Sequence, residues 1–161
     1  MIFVTVGTHE QQFNRLIEEI DNLIGSGKLQ HTCFMQIGYS TYIPKHCKWS
    51  RLLGYQDMKR YMTEADIVIT HGGPSSFIEA MALGKTPLVV PRRSVFGEHI
   101  NDHQLEFVRF LEGKGFGILP VYDLNLLGET IGSLKPRSEK SVFFGNNESF
   151  CSQLEQEIAK L

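Results

Sequence analysis

The run Ile67-Val68-Ile69-Thr70 consists only of β-branched residues and leads through His71 into Gly72-Gly73-Pro74 and then Ser75-Ser76-Phe77-Ile78-Glu79. β-Branched residues favour a strand. A Gly pair followed by Pro at a helix's first position marks a strand-to-helix turn. Such a turn leaves backbone N–H groups free at the positive end of a helix, where a phosphate binds. Ser75 and Ser76 add hydroxyls beside those amides, and His71, at the strand end, can donate to a diphosphate oxygen. Beside a dianion the His71 pKa would move up. Glu79 lies one turn further in, too deep for the phosphate. A carboxylate there suits a ribose diol, which takes a bidentate acceptor. Phosphate and ribose together make a nucleotide.

The rest of the chain repeats this strand–helix alternation. Strands are expected at 2–6, 32–37, 49–53, 67–70, 88–90 and 117–120, and helices at 13–24, 58–65, 75–83, 101–112 and 123–134. The first helix carries Phe13, Leu16, Ile17, Ile20, Leu23 and Ile24 at helical spacing, and Gly25-Ser26-Gly27 ends it. Residues 135–147 read as a loop. Residues 148–161 read as an amphipathic tail helix with Phe150, Leu154, Ile158 and Leu161 on one stripe. The alternation predicts an α/β fold, a Rossmann-like doubly wound parallel sheet with its ligand at the carboxyl ends of the strands. With 161 residues, one domain over 1–161 is expected.

Composition narrows the function. A net charge of -2 gives no electrostatic case for nucleic acid or an anionic membrane. Cys33, Cys47 and Cys151 are widely spaced and odd in number, which predicts reduced thiols. No signal peptide or membrane span is read, so the expected location is the cytoplasm.

Other candidates follow from position. Gly7 and Thr8 end the first strand, on the same sheet edge as His71, and can supply amides and a hydroxyl to a phosphate; a plain turn with an N-cap is the alternative. His99 and His103 are four apart, as zinc ligands on one helix face would be. Asn101 reads as the N-cap of the next helix and leaves His99 outside it, so no metal is expected. His103 and Gln104 instead suit sugar hydroxyls, which need groups that both donate and accept. Arg92 and Arg93 face either a phosphate or solvent. The solvated reading is favoured, with one of them at a protein interface, and Phe96-Gly97 suggests a mobile loop.

In order, these motifs are a Gly7-Thr8 turn, His71-Gly72-Gly73-Pro74-Ser75-Ser76-x-x-Glu79, Gly84-x-x-Pro87 and His103-Gln104. Together they resemble the donor-binding half of GT-B glycosyltransferases, and most of all the C-terminal domain of glycosyltransferase family twenty-eight. The resemblance covers nearly the whole chain. It implies that Glu79 holds ribose, that His71, Gly72, Gly73, Ser75, Ser76, Gly7 and Thr8 surround the diphosphate, and that Gln104 with His103 meets the sugar. Enzymes of this fold have two such domains, and the chain reads as the second alone. It therefore resembles the catalytic subunit of two-part enzymes. These are the dolichol-linked N-acetylglucosamine transferase and the paired bacterial transferases of capsule and exopolysaccharide assembly.

The bacterial type is the closer resemblance. It implies β-linked galactose or glucuronate added to lipid-linked glucose beside a membrane-anchored partner that recruits the chain to the membrane. The tail stripe and the loop 92–99 are the expected docking surface. The implied reaction is a single displacement with inversion, without metal or cofactor. Its base is expected in the partner, and His9 is the candidate within the chain. A UDP-N-acetylglucosamine transferase subunit, a sugar-nucleotide epimerase and a non-enzymatic UDP-sugar-binding module are the alternatives.

Overall fold

The computed structural model describes residues 1–134 and the single position Gln156. Strands β1 (Ile2–Thr5), β2 (Cys33–Gln36), β3 (Lys48–Ser50), β4 (Ile67–His71), β5 (Leu88–Val90) and β6 (Leu119–Pro120) form one sheet in the order β3-β2-β1-β4-β5-β6. Every neighbouring pair is parallel. Helices α1 (Asn14–Gly25), α2 (Tyr55–Glu64), α3 (Pro74–Ala82), α4 (His103–Gly113) and α5 (Leu127–Ser133) connect or follow the strands. This is the doubly wound fold expected from the sequence.

Central parallel strands are covered on both faces, so they read as continuous apolar runs. All of β1 and β5 is buried, as is β4 from Val68 onward. One face packs Ile2, Val4 and Ile69 against Leu16, Ile17 and Ile20 of α1 and Leu127 and Ile131 of α5. The opposite face packs Phe3 and Val68 against Met62 of α2 and Ala80 of α3, with Phe77, Val89, Val108 and Leu111 alongside. Alternation along β1 thus sends successive side chains into different layers.

Some boundaries differ from those expected. α2 begins at Tyr55, three residues before Met58, because Gly54 takes the N-cap position in an extended conformation. α4 begins at His103, since the Asn101 side chain accepts from the His103 amide and Asp102 is the N-cap. The expected 123–134 helix is a 3-10 turn at Leu124–Leu126 followed by α5, with the Asp123 carboxylate accepting from the Asn125 amide. The expected loop 135–147, with Phe143 and Phe144, the tail helix 148–161 and Cys151 lie outside the described residues. Among the described residues no helix is long and apolar enough to cross a membrane. Cys33 and Cys47 are buried free thiols.

The strand order reverses between β1 and β4. At such a switch point the loops leaving adjacent strands diverge to opposite faces and open a crevice beyond their carboxyl ends.

Candidate functional site

A cleft of about 750 Å³ occupies that switch point. Thr5, Gly7, Thr8, His9 and Glu10 line it from β1 and its loop, and His71, Ser75, Ser76 and Glu79 from β4 and α3. Tyr39, Met58, Met62 and Gln104 complete the wall. The structure therefore brings together Gly7, Thr8, His9, His71, Ser75, Ser76, Glu79 and Gln104. Gly72, Gly73 and His103 are not on the wall, and His103 is exposed at the start of α4.

The two glycines shape the wall from behind. A Cβ at Gly72 would fall 2.9 Å from Gln104 Cβ, and one at Gly73 only 2.3 Å from His71 Nε2. Gly7 has φ +73, and a Cβ there would lie 2.6 Å from His71 Cε1. The imidazole is thus held between two backbone segments that must both lack side chains. Gln36 fixes one of them, with its Nε2 donating to the Gly7 carbonyl and its Oε1 accepting from the Thr5 hydroxyl.

The N-terminus of α3 is open. Gly73 is its N-cap, Pro74 follows, and among the described residues no side chain caps the first turn. The first amides of a helix have no partner within it. Among the described residues the hydroxyls of Thr8, Ser75 and Ser76 and the carboxylate of Glu79 make no hydrogen bond. Gln104 is engaged through one atom only, its Oε1 accepting from the Arg92 amide at 3.2 Å, which leaves its amide donors free for the cleft.

His71 is buried, and among the described residues its Nδ1 makes no well-formed hydrogen bond, with the Thr5 main chain the polar group beside the ring. Burial pushes its pKa from 6.5 down to about 3, and the charge of Arg92 adds to the fall. The protein's own surroundings thus act against the upward shift expected beside a dianion. The direction makes a prediction. Between pH 6.5 and 3 the unfolded chain binds a proton at His71 that the native chain refuses, so stability falls as pH drops below 6.5. From pH 6.5 to 5 the loss is about 2 kcal/mol at 1.36 kcal/mol per pH unit. Urea denaturation at pH 7 and pH 5 should show a lower midpoint at pH 5, and His71→Asn should lose most of that difference.

His9 stacks on His99 with ring centroids 4.7 Å apart, and its Nε2 meets Gln11 Oε1 at 2.8 Å. Among the described residues no group of three or more His, Cys, Asp or Glu is placed to hold a metal ion.

Two expectations are corrected. Arg92 is not solvated: it has no exposed surface, and its guanidinium donates to the carbonyls of Val6, Gln11, Gln12 and Glu98. The loop around Phe96-Gly97 is pinned rather than free. Gln12 donates to the Phe96 carbonyl, the fully buried Glu98 takes two hydrogen bonds from Arg15, and Asp102 accepts from the Ser94 amide. Two adjacent arginines after a strand gave no sign of which would turn inward. Tyr39, Met58 and Met62 were also missed as wall residues, because they come from the β2 loop and α2 and carry no local signature.

Residues 1–127 match the glycosyltransferase family 28 C-terminal domain. The UDP-N-acetylglucosamine transferase subunit ALG13 of Homo sapiens is 33% identical over a segment covering 71% of this chain. The same subunit from Mus musculus is 29% identical over 70%. The chain spans about a tenth of the length of these curated relatives, with 10% of each covered. Among solved structures, the glycosyltransferase SnogD from Streptomyces nogalater superposes with a TM-score of 0.51 at 17% identity, over 96% of this chain and 43% of that one. At that identity the likeness concerns the fold alone. With four-fifths of its length inside the family pattern and the strand-end cleft where the motifs meet, the chain belongs to the glycosyltransferase family 28 C-terminal domain family.

Proposed function

We propose that this chain binds a UDP-sugar in the switch-point cleft and supplies the donor side of an inverting glycosyl transfer. The observation that carries this reading is the convergence of the uncapped α3 N-terminus, the Gly7-Thr8 turn, Glu79 and Gln104 on one cavity. The diphosphate lies across the α3 amides, with the Ser75, Ser76 and Thr8 hydroxyls around it. Glu79 takes the ribose hydroxyls and Gln104 the sugar. His103, exposed beside Gln104, reaches the sugar only from the rim. Charge growing on the departing UDP is stabilised by the helix end, which is already oriented before reaction. The acceptor hydroxyl attacks the anomeric carbon from the opposite side as UDP leaves, and a base takes its proton. An acceptor-binding partner is the expected source of that base, and His9, at the cleft wall, is the candidate within this chain.

A partner is part of the reading. The human and mouse relatives are named as subunits. Val95, Phe96 and Ile100 are exposed and suit an apolar contact. Positioning of two reactants is a large part of catalysis, so the chain alone should transfer sugar far more slowly than with a membrane-anchored partner. Among donors, the relatives' name favours N-acetylglucosamine over the galactose or glucuronate of capsule and exopolysaccharide assembly. A calorimetric comparison of UDP-N-acetylglucosamine, UDP-galactose and UDP-glucuronate decides among them. The reading also predicts metal independence, because the helix end and hydroxyls do the work a divalent ion does elsewhere. UDP affinity should change less than about twofold on adding EDTA, and dependence on added Mg²⁺ or Mn²⁺ would contradict it.

A further inference from the structure

We propose that Arg92, buried behind the cleft, supplies the positive charge of the diphosphate subsite, and that His71 meets the diphosphate as a neutral imidazole. This rests on the donor-site reading above and assigns its electrostatics to a residue that does not line the wall. The geometry is specific. The guanidinium donates to the Val6 carbonyl at 2.8 Å, one residue before Gly7, whose open Cβ position faces the His71 ring. The same group bonds the Gln11 and Gln12 carbonyls, so it also fixes the far end of the loop that carries Thr8 and His9. Its carbon lies 4.9 Å from the Phe13 ring centroid, in a dry environment.

Among the described residues no carboxylate is bonded to the Arg92 guanidinium. Glu98 is the nearby carboxylate, but its two oxygens take Arg15 at 2.7 and 3.0 Å and the Arg93 amide at 2.9 Å, and only its main-chain carbonyl meets Arg92. The Glu98 carboxylate is thus bonded to Arg15 and not to Arg92. Among the described residues Arg92 Nε has no hydrogen bond, and His71 Nδ1 has none that is well formed. Burying a cation without a carboxylate of its own is costly. A diphosphate at the α3 end provides the missing counter-charge, through a region of low dielectric where such an attraction is strong. Burial brings the Arg92 pKa down to about 10, which leaves it cationic at neutral pH. The same cation helps keep His71 uncharged. Arg92 is therefore a positioning residue for the β1 loop and a source of field for the phosphates.

The test compares UDP with uridine, which lacks the phosphates, on wild type, R92M and R92K by titration calorimetry, with thermal melts alongside. R92M should lose at least about tenfold in UDP affinity while its uridine affinity changes less than twofold. R92K keeps the charge and should recover most of the preference for UDP over uridine. An arginine that acted only by holding the β1 loop would leave R92K as weak for UDP as R92M; that result overturns the proposal, as does equal weakening of both ligands or of neither. If R92M does not fold, R92K alone decides: loss of the UDP-over-uridine preference in folded R92K overturns it. Failure of the wild type to bind UDP would instead overturn the donor-site reading beneath it.

Discussion

Replacing Gly73 by alanine is expected to cost UDP affinity about a hundredfold while the chain remains folded. The new Cβ would lie 2.3 Å from His71 Nε2, and the ring is buried with the Gly7 backbone close on its other side, so near that an added Cβ there would fall 2.6 Å from its Cε1. Overpacking of this kind costs about 1–3 kcal/mol. The strain falls where the imidazole and the first α3 amides meet the diphosphate. Gly7→Ala should do the same and also lower stability further, since φ +73 is a left-handed conformation that costs a non-glycine residue about 1–2 kcal/mol. Titration calorimetry with UDP, read beside circular dichroism, measures both effects. A folded Gly73→Ala protein with wild-type UDP affinity would show that the His71 cradle is no part of the binding site.

The second large effect is expected at Glu79. It sits half-buried on α3 at the cleft wall. Removing a carboxylate that accepts from two ribose hydroxyls costs about 1.5–3 kcal/mol, or one to two decades in affinity. Glu79→Ala should therefore weaken UDP and uridine binding in equal proportion, since both carry the ribose, and leave the melting temperature nearly unchanged. Equal UDP affinity in wild type and mutant would move the ribose elsewhere. The contrast with Arg92 is informative: ribose loss affects both ligands, whereas loss of field affects only the one with phosphates.

Much of this was legible in the residues, and the reasons are local. The β4–α3 unit announces itself because β-branched residues, a Gly pair and an N1 proline each satisfy a different backbone requirement at successive positions. Helix α1 is legible from its apolar period, and the parallel sheet follows from alternation. Helix starts were less exact. Met58 is the first apolar anchor of α2, yet the helix starts at Tyr55, because a glycine in an extended conformation sets the cap rather than an apolar residue. At α4 the Asn101 side chain does accept a first-turn hydrogen bond, but from the His103 amide, so the first helical residue is two later than expected.

The site divides along the same line. Residues on contiguous motifs, from Gly7 to His9 and from His71 to Glu79, reach the cleft because strand ends bring them there. Arg92 could not be read as buried, since its partners are main-chain carbonyls at Val6, Gln11 and Gln12, about eighty positions away and without a side-chain signature. His103 looked equivalent to Gln104, yet only Gln104 lines the cleft, because adjacent helical residues point about 100° apart and its Cβ packs beneath Gly72.

The central claim is that this cleft holds the nucleoside diphosphate of a sugar donor, and every proposed contact to it comes from this one chain. Backbone amide NMR of the ¹⁵N-labelled chain titrated with UDP tests it most directly, because it reports both affinity and place. The account predicts saturable one-to-one binding with the largest shifts at Gly7, Thr8, Gly73, Ser75, Ser76 and Glu79, and at Gln104 only when a sugar is attached to the UDP. No saturation at millimolar UDP, or shifts concentrated away from the carboxyl ends of β1 and β4, would contradict it.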